Sequence, residues 1–173
     1  MDKVSVSVVS GDIARVNVDA LITAINSGGM WFGGIDRVIN RVAGDFFHSQ
    51  AMAAMPLHDG QTIVALKQGR AHGGAFVNVV FVVDDLRRPL YEVVYNGLKA
   101  ASDAGFKSVS LPTIRMGVML GVVEKSTVEA VEEMAKGVTK FLAENANTSL
   151  KSIIFVVYND KTIQFVLETA LGQ

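Results

Sequence analysis

Residues 18–44 read VDALITAINSGGMWFGGIDRVINRVAG. Ala20–Ile25 is almost continuously apolar and predicts a buried strand. Gly28, Gly29, Gly33 and Gly34 then mark a loop. After it, Ile35, Val38, Ile39, Val42 and Phe46 follow the i, i+3, i+4, i+7 spacing of a helix packed on a sheet. A strand that passes through a glycine loop into a helix N-terminus is a place where anions bind. Glycine lets backbone N–H groups come close to a phosphate, and the first helical turn leaves its N–H groups unpaired. Asn26 stands at the end of the predicted strand and Asp36 in the first helical turn, so two polar side chains flank this cradle.

Working outward, Val4, Val6 and Val8 alternate with Ser5 and Ser7, the pattern of a half-buried strand near a sheet edge. Gly11-Asp12 ends it, with Asp12 a turn residue or N-cap. On the other side, the helix is expected to continue towards Met55, with Pro56 stopping it. Strands are expected at Gln61–Leu66, Ala75–Val83, Lys107–Leu111 and Ser152–Tyr158. Pro89 suits the first position of a helix whose buried stripe includes Leu90, Val93, Val94, Leu98 and Ala101. Ser126 and Glu129 have the spacing of a capping box, ahead of an inner face of Val128, Val131, Met134, Ala135, Val138 and Phe141. Asp160 is the expected N-cap of a last helix, with Ile163, Val166, Leu167 and Ala170 inward. Strands alternating with helices predict a three-layer α/β fold with a largely parallel sheet, in one domain over residues 1–173. Ligands in such sheets bind beyond the C-terminal ends of strands. Three unusual segments fall there: residues 26–34, residues 112–121, and Tyr158-Asn159.

Several pieces, in order, resemble the macro domain family, whose members bind ADP-ribose. Gly11-Asp12-Ile13 and Val18-Asp19-Ala20 resemble its opening GDI and VDA. Thr23-Ala24-Ile25-Asn26 resembles NAAN, Phe32-Gly33-Gly34-Ile35-Asp36 resembles GGGVD, and Arg41-Val42-Ala43-Gly44 resembles RAAG. Ser108–Ile114 followed by Gly117-Val118 resembles SIAFPAI…GI, and Ile154–Tyr158 resembles the last strand with its terminal aromatic. The resemblance implies an α/β/α fold with a mixed, largely parallel sheet. It also implies that Asp12 and Tyr158 hold adenine, with Ile13 a further ligand-binding residue. Gly33-Gly34-Ile35 and Gly117-Val118-Met119 would cradle the diphosphate from two sides. Asn26 would orient the distal ribose and Asp36 would position a water molecule, making these two the catalytic candidates. The simpler roles of these residues are tight turns for the glycines, a strand-end cap for Asn26, favourable placement of Asp36 in the helix dipole, and an amphipathic residue at a sheet end for Tyr158.

The chain departs from the family pattern at Thr23, at Phe32, at Arg115-Met116, where small hydroxyl residues are usual, and at Met119, where an aromatic is usual. Trp31 and Phe32 would form either a lid on the ligand or an obstruction. Arg115 is expected to be a phosphate partner or, more simply, a solvated side chain. Three functions follow in order: a hydrolase acting on mono-ADP-ribosyl groups or O-acetyl-ADP-ribose, a non-catalytic ADP-ribose or nucleotide-binding module, and a degenerate domain that binds proteins.

Composition narrows the field. The 173 residues are half hydrophobic and carry a net charge of −1, which argues against a general nucleic-acid or membrane-surface binder. The absence of cysteine removes disulfides, thiolate metal sites and a cysteine nucleophile. His48, His58 and His72 lack metal-ligand spacing, and no cofactor is called for. No signal peptide or membrane-spanning segment is expected, so a soluble, cytoplasmic protein is the expectation.

Overall fold

A computed structural model describes residues 3–29, 34–115 and 121–173. Its centre is a six-stranded sheet of β1 (Ser5–Ser10), β2 (Val18–Ile25), β3 (Thr62–Ala65), β4 (Phe76–Val83), β5 (Ser108–Leu111) and β6 (Ser152–Val157). The strand order is β1-β6-β5-β2-β4-β3. β3 runs antiparallel to β4, and the remaining pairings are parallel, so the sheet is mixed and largely parallel. β1 is an edge strand, as its valine–serine alternation predicts.

Among the described residues five helices cover the two faces: α1 (Gly34–Ala43), α2 (Phe46–Ala53), α3 (Leu90–Asp103), α4 (Thr127–Glu144) and α5 (Lys161–Ala170). The two-residue period of a strand sorts β2 between them. Ala20, Ile22 and Ala24 join a core with Val94 and Leu98 of α3, Met134 and Phe141 of α4, and Leu167 of α5. Leu21 and Ile25 join a second core with Ile39 of α1 and with Phe47 and Ala51 of α2. The result is the three-layer α/β/α arrangement. Central strands buried on both faces must be apolar at nearly every position, which is why β2 and β4 read as continuous runs.

Close helix–sheet contact depends on Gly97. A Cβ built there would stand 2.5 Å from Cγ2 of Ile22 and 3.2 Å from Cγ2 of Val82, so α3 could not lie where it does with a larger residue. Gly44 has a different task. Its φ of +62° ends α1, and its N–H donates to Asn40 O at 2.7 Å. The single helix expected to reach Met55 is therefore two helices, with Phe46 opening the second. Pro89 is the N-cap of α3 with extended ψ, one residue earlier than expected. The other caps are as read: Ser126 Oγ accepts from Glu129 N–H at 3.1 Å and Asp160 Oδ1 from Ile163 N–H at 3.0 Å. The reciprocal half of the Ser126 box is shifted, because Glu129 Oε2 accepts from Lys125 N–H. Val128 is 50% exposed and does not belong to the inner face of α4; Ala130, fully buried, takes that place. Ala170 is likewise exposed. Among the described residues no helix is long and apolar enough to cross a membrane.

Candidate functional site

Parallel strands deliver their C-terminal ends to one edge of the sheet, and among the described residues two cavities are found along it. The first, about 360 Å³, sits beyond β1 and β6. Gly11, Asp12 and Ile13 line it from the turn after β1, and Val156 and Tyr158 from the end of β6. Gly34, Ile35, Val38 and Arg41 line it from α1. Its volume is in the range of small-molecule sites. The second, also about 360 Å³, lies beyond β2 and β4, where Asn26, Ser27 and Gly28 face Asp84, Asp85, Leu86 and Arg87.

In the first cavity Asp12 caps a short 3₁₀ turn, Ile13–Arg15, its Oδ1 accepting from Ala14 N–H at 2.9 Å. Its other oxygen lies 3.6 Å from Nη2 of Arg41 and 3.9 Å from Nε of Arg15, both on exposed side chains. Such exposed pairs are weak, so Asp12 keeps acceptor capacity for a ligand. Tyr158 lines the cavity and is 79% exposed. Gly34 opens α1 beside the cavity, and a Cβ added to it would meet no atom of the described residues within 4 Å.

Asp36 sits in the first turn of α1 but is only 2% exposed. Its Oδ1 is 2.8 Å from Nε2 of His48 on α2, also buried, and the His48 ring packs 4.9 Å from that of Phe81. The carboxylate therefore points into the layer between α1, α2 and the sheet.

Asp12, Ile13, Gly34, Ile35 and Tyr158 thus share one cavity, Asn26 lines the other, and Asp36 lines neither. Trp31, Phe32, Gly33, Gly117, Val118 and Met119 lie outside the described residues. Sequence reasoning missed Val38 and Arg41 as lining residues. Their spacing from Gly34, roughly one and two helical turns, carried the signal. Nothing in the spacing marked His48 as the partner of Asp36.

Arg115 corrects both expectations held for it. It is neither solvated nor open to a phosphate: it is 6% exposed and clasped by Asp84 and Glu124. Burial alone would lower its pKa, but the hydrogen bonds it donates to Asp84 and Glu124 outweigh that and raise it above the ordinary arginine value. Among the described residues no group of three or more His, Asp or Glu side chains is placed to hold a metal ion.

No family model matches the chain. By sequence it is similar to the O-acetyl-ADP-ribose deacetylase of Citrobacter rodentium, 27% identical over 166 residues that cover 91% of this chain and 90% of that protein. It is also similar to an uncharacterized protein of Thermotoga maritima, 26% identical over 175 residues; that match covers 94% of this chain but spans only 28% of the longer relative. By structure it is similar to a Trypanosoma brucei macrodomain solved in complex with ADP-ribose. The TM-score is 0.79 at 20% identity, over 96% of this chain and 69% of that one. The fold is the macrodomain fold, as the ordered sequence pieces imply.

Proposed function

We propose that this macrodomain binds ADP-ribose along the C-terminal edge of its sheet and hydrolyses ADP-ribosyl linkages, on a mono-ADP-ribosylated acceptor or in O-acetyl-ADP-ribose. The observation that carries the reading is the cavity beyond β1 and β6, where an acidic acceptor, an exposed aromatic ring and the first turn of α1 converge. The Asp12 carboxylate suits the adenine amino group, the Tyr158 ring suits its face, and the α1 N-terminus suits a phosphate. Asn26 lies two strand spacings from β6 and three from β1, roughly 10–15 Å, beside the second cavity. An elongated ligand with adenine at one end and a second ribose at the other fits that spacing. In this reading Asn26 orients the distal ribose through its amide, which both donates and accepts. Asp36 positions the attacking water, after a shift of its carboxylate away from His48. The names of relatives such as the Citrobacter rodentium deacetylase support hydrolysis. The reading invokes no cofactor and includes a cytoplasmic location.

A second reading, a binding module without chemistry, is favoured by one observation: Asp36 is buried and held by His48 rather than presented to either cavity. Calorimetric titration with ADP-ribose, followed by a product assay on O-acetyl-ADP-ribose and on a mono-ADP-ribosylated protein, separates the two. Binding with product release supports the hydrolase, and binding without it supports the module. No binding at millimolar ADP-ribose overturns both and leaves a protein-interaction role.

A further inference from the structure

Arg115 is the centre of a buried ionic cluster at the Asn26 end of the sheet edge. Its Nε and Nη2 donate to Oδ2 and Oδ1 of Asp84 at 3.0 and 2.7 Å, a two-point fork. Its Nη1 donates to both oxygens of Glu124, at 2.8 and 3.1 Å. Asp84 is 1% and Glu124 3% exposed. Two carboxylates around one guanidinium leave an excess negative charge in the interior, which is costly unless it is further compensated. Glu124 finds that compensation at the start of α3, where its Oε2 accepts from Leu90 N–H at 3.0 Å and faces the positive end of the helix dipole.

Asp84 passes this anchoring on to the cavity. Its Oδ1 accepts from Leu86 N–H at 3.0 Å, and Leu86 sits at φ +59°, a conformation leucine rarely adopts. Its backbone N–H donates to Ile25 O at 2.7 Å, and the neighbouring Asp85 Oδ1 accepts from Ser27 N–H at 2.8 Å. Asn26 is the residue between those two attachments. It is therefore bracketed: the backbone before it hangs on Asp84 and the backbone after it on Asp85. The same turn, 84–87, walls the cavity that Asn26 lines.

We infer that Arg115 is a positioning residue for the Asn26 end of the crevice, acting through Asp84. By clasping Asp84 from both edges of its carboxylate, it fixes the turn to which the backbone around Asn26 is tied. Its consequence for the ligand rests on the ADP-ribose reading; its consequence for the backbone does not. A purely structural ion pair would stabilise the whole fold without favouring one end of the crevice.

Arg115→Lys tests this, because lysine keeps the charge but cannot form the fork. Amide hydrogen exchange is followed at Ser27 and Leu86, with α4 amides as the reference, and affinity is measured for ADP and for ADP-ribose. ADP lacks the distal ribose. Exchange at Ser27 and Leu86 should quicken about tenfold while α4 is unchanged, and ADP-ribose should weaken about tenfold while ADP holds within about twofold. Unchanged exchange at Ser27 and Leu86, or a parallel fall for both nucleotides, overturns the inference. If Arg115→Lys does not fold, the neutral triple variant Arg115→Met with Asp84→Asn and Glu124→Gln is measured the same way. If the native protein binds neither nucleotide, the ADP-ribose reading fails, and the exchange rates alone decide the role of Arg115.

Discussion

His48 Nε2 lies 2.8 Å from Asp36 Oδ1, and neither side chain is more than 4% exposed. The carboxylate in the first turn of α1 is thus tied to α2 across the break at Gly44. Replacing His48 with Phe keeps the ring contact with Phe81 but deprives that carboxylate oxygen of its imidazole partner. Stability should fall by about 2–3 kcal/mol, read from urea unfolding, because a buried polar group loses a hydrogen bond. His48→Gln, which restores a donor, should recover part of the loss.

Asp36→Asn separates the catalytic role from the structural one. The amide retains a hydrogen-bonding oxygen towards His48 but cannot serve as a base. If Asp36 positions water, turnover of O-acetyl-ADP-ribose or of an ADP-ribosylated protein should fall roughly 10²–10⁴-fold, with ADP-ribose affinity nearly unchanged. Turnover equal to that of the native protein would remove Asp36 from the chemistry.

Gly34→Glu places a carboxylate at the start of α1, beside the first cavity. Among the described residues a Cβ at this position meets nothing within 4 Å, and an acidic residue in a first helical turn is favourable for the helix. The melting temperature should stay within a few degrees. ADP-ribose binding should nevertheless be lost, through repulsion of the diphosphate. A variant that binds like the native protein would move the ligand away from this helix end.

Gly97→Ala addresses the fold alone. The added methyl would stand 2.5 Å from Ile22 Cγ2, so α3 must retreat from β2. Overpacking of this kind costs about 1–3 kcal/mol. Denaturant unfolding should register it, while any nucleotide affinity measured below the transition should be nearly native.

The layered architecture was legible because period and burial are local properties of the chain. Ala20–Ile25 read as a buried strand and Ala75–Val83 as a strand covered on both faces, and the strands found, Val18–Ile25 and Phe76–Val83, are buried at almost every position, Val77 being exposed. The first cavity was legible for a similar reason: Asp12, Gly34 and Tyr158 each sit where a strand or loop meets the sheet edge. Partnerships between distant residues were not legible. Asp36 and His48 come from successive helices whose relative angle is set at Gly44, and a hydrophobic stripe does not encode that angle. Arg115 follows a strand and stands two residues before Gly117, a setting that suggests exposure. Only the folded chain brings Asp84 and Glu124 to it, from the end of β4 and from the segment before α4.

The pairing of β1 with β6 bears on the order in which the molecule can become functional. Ser5 pairs with Ser152 and Ser10 with Val157, so the first described strand finds its only neighbour near the other end of the described chain. Contacts of such long sequence separation close late and slowly. The first cavity draws its walls from the turn that follows β1, from the end of β6 and from α1. A nascent or partly refolded chain with β2, β4 and the helices around them already docked would still lack one wall of the cavity, and nucleotide capture during refolding would report the last long-range closure rather than the first collapse.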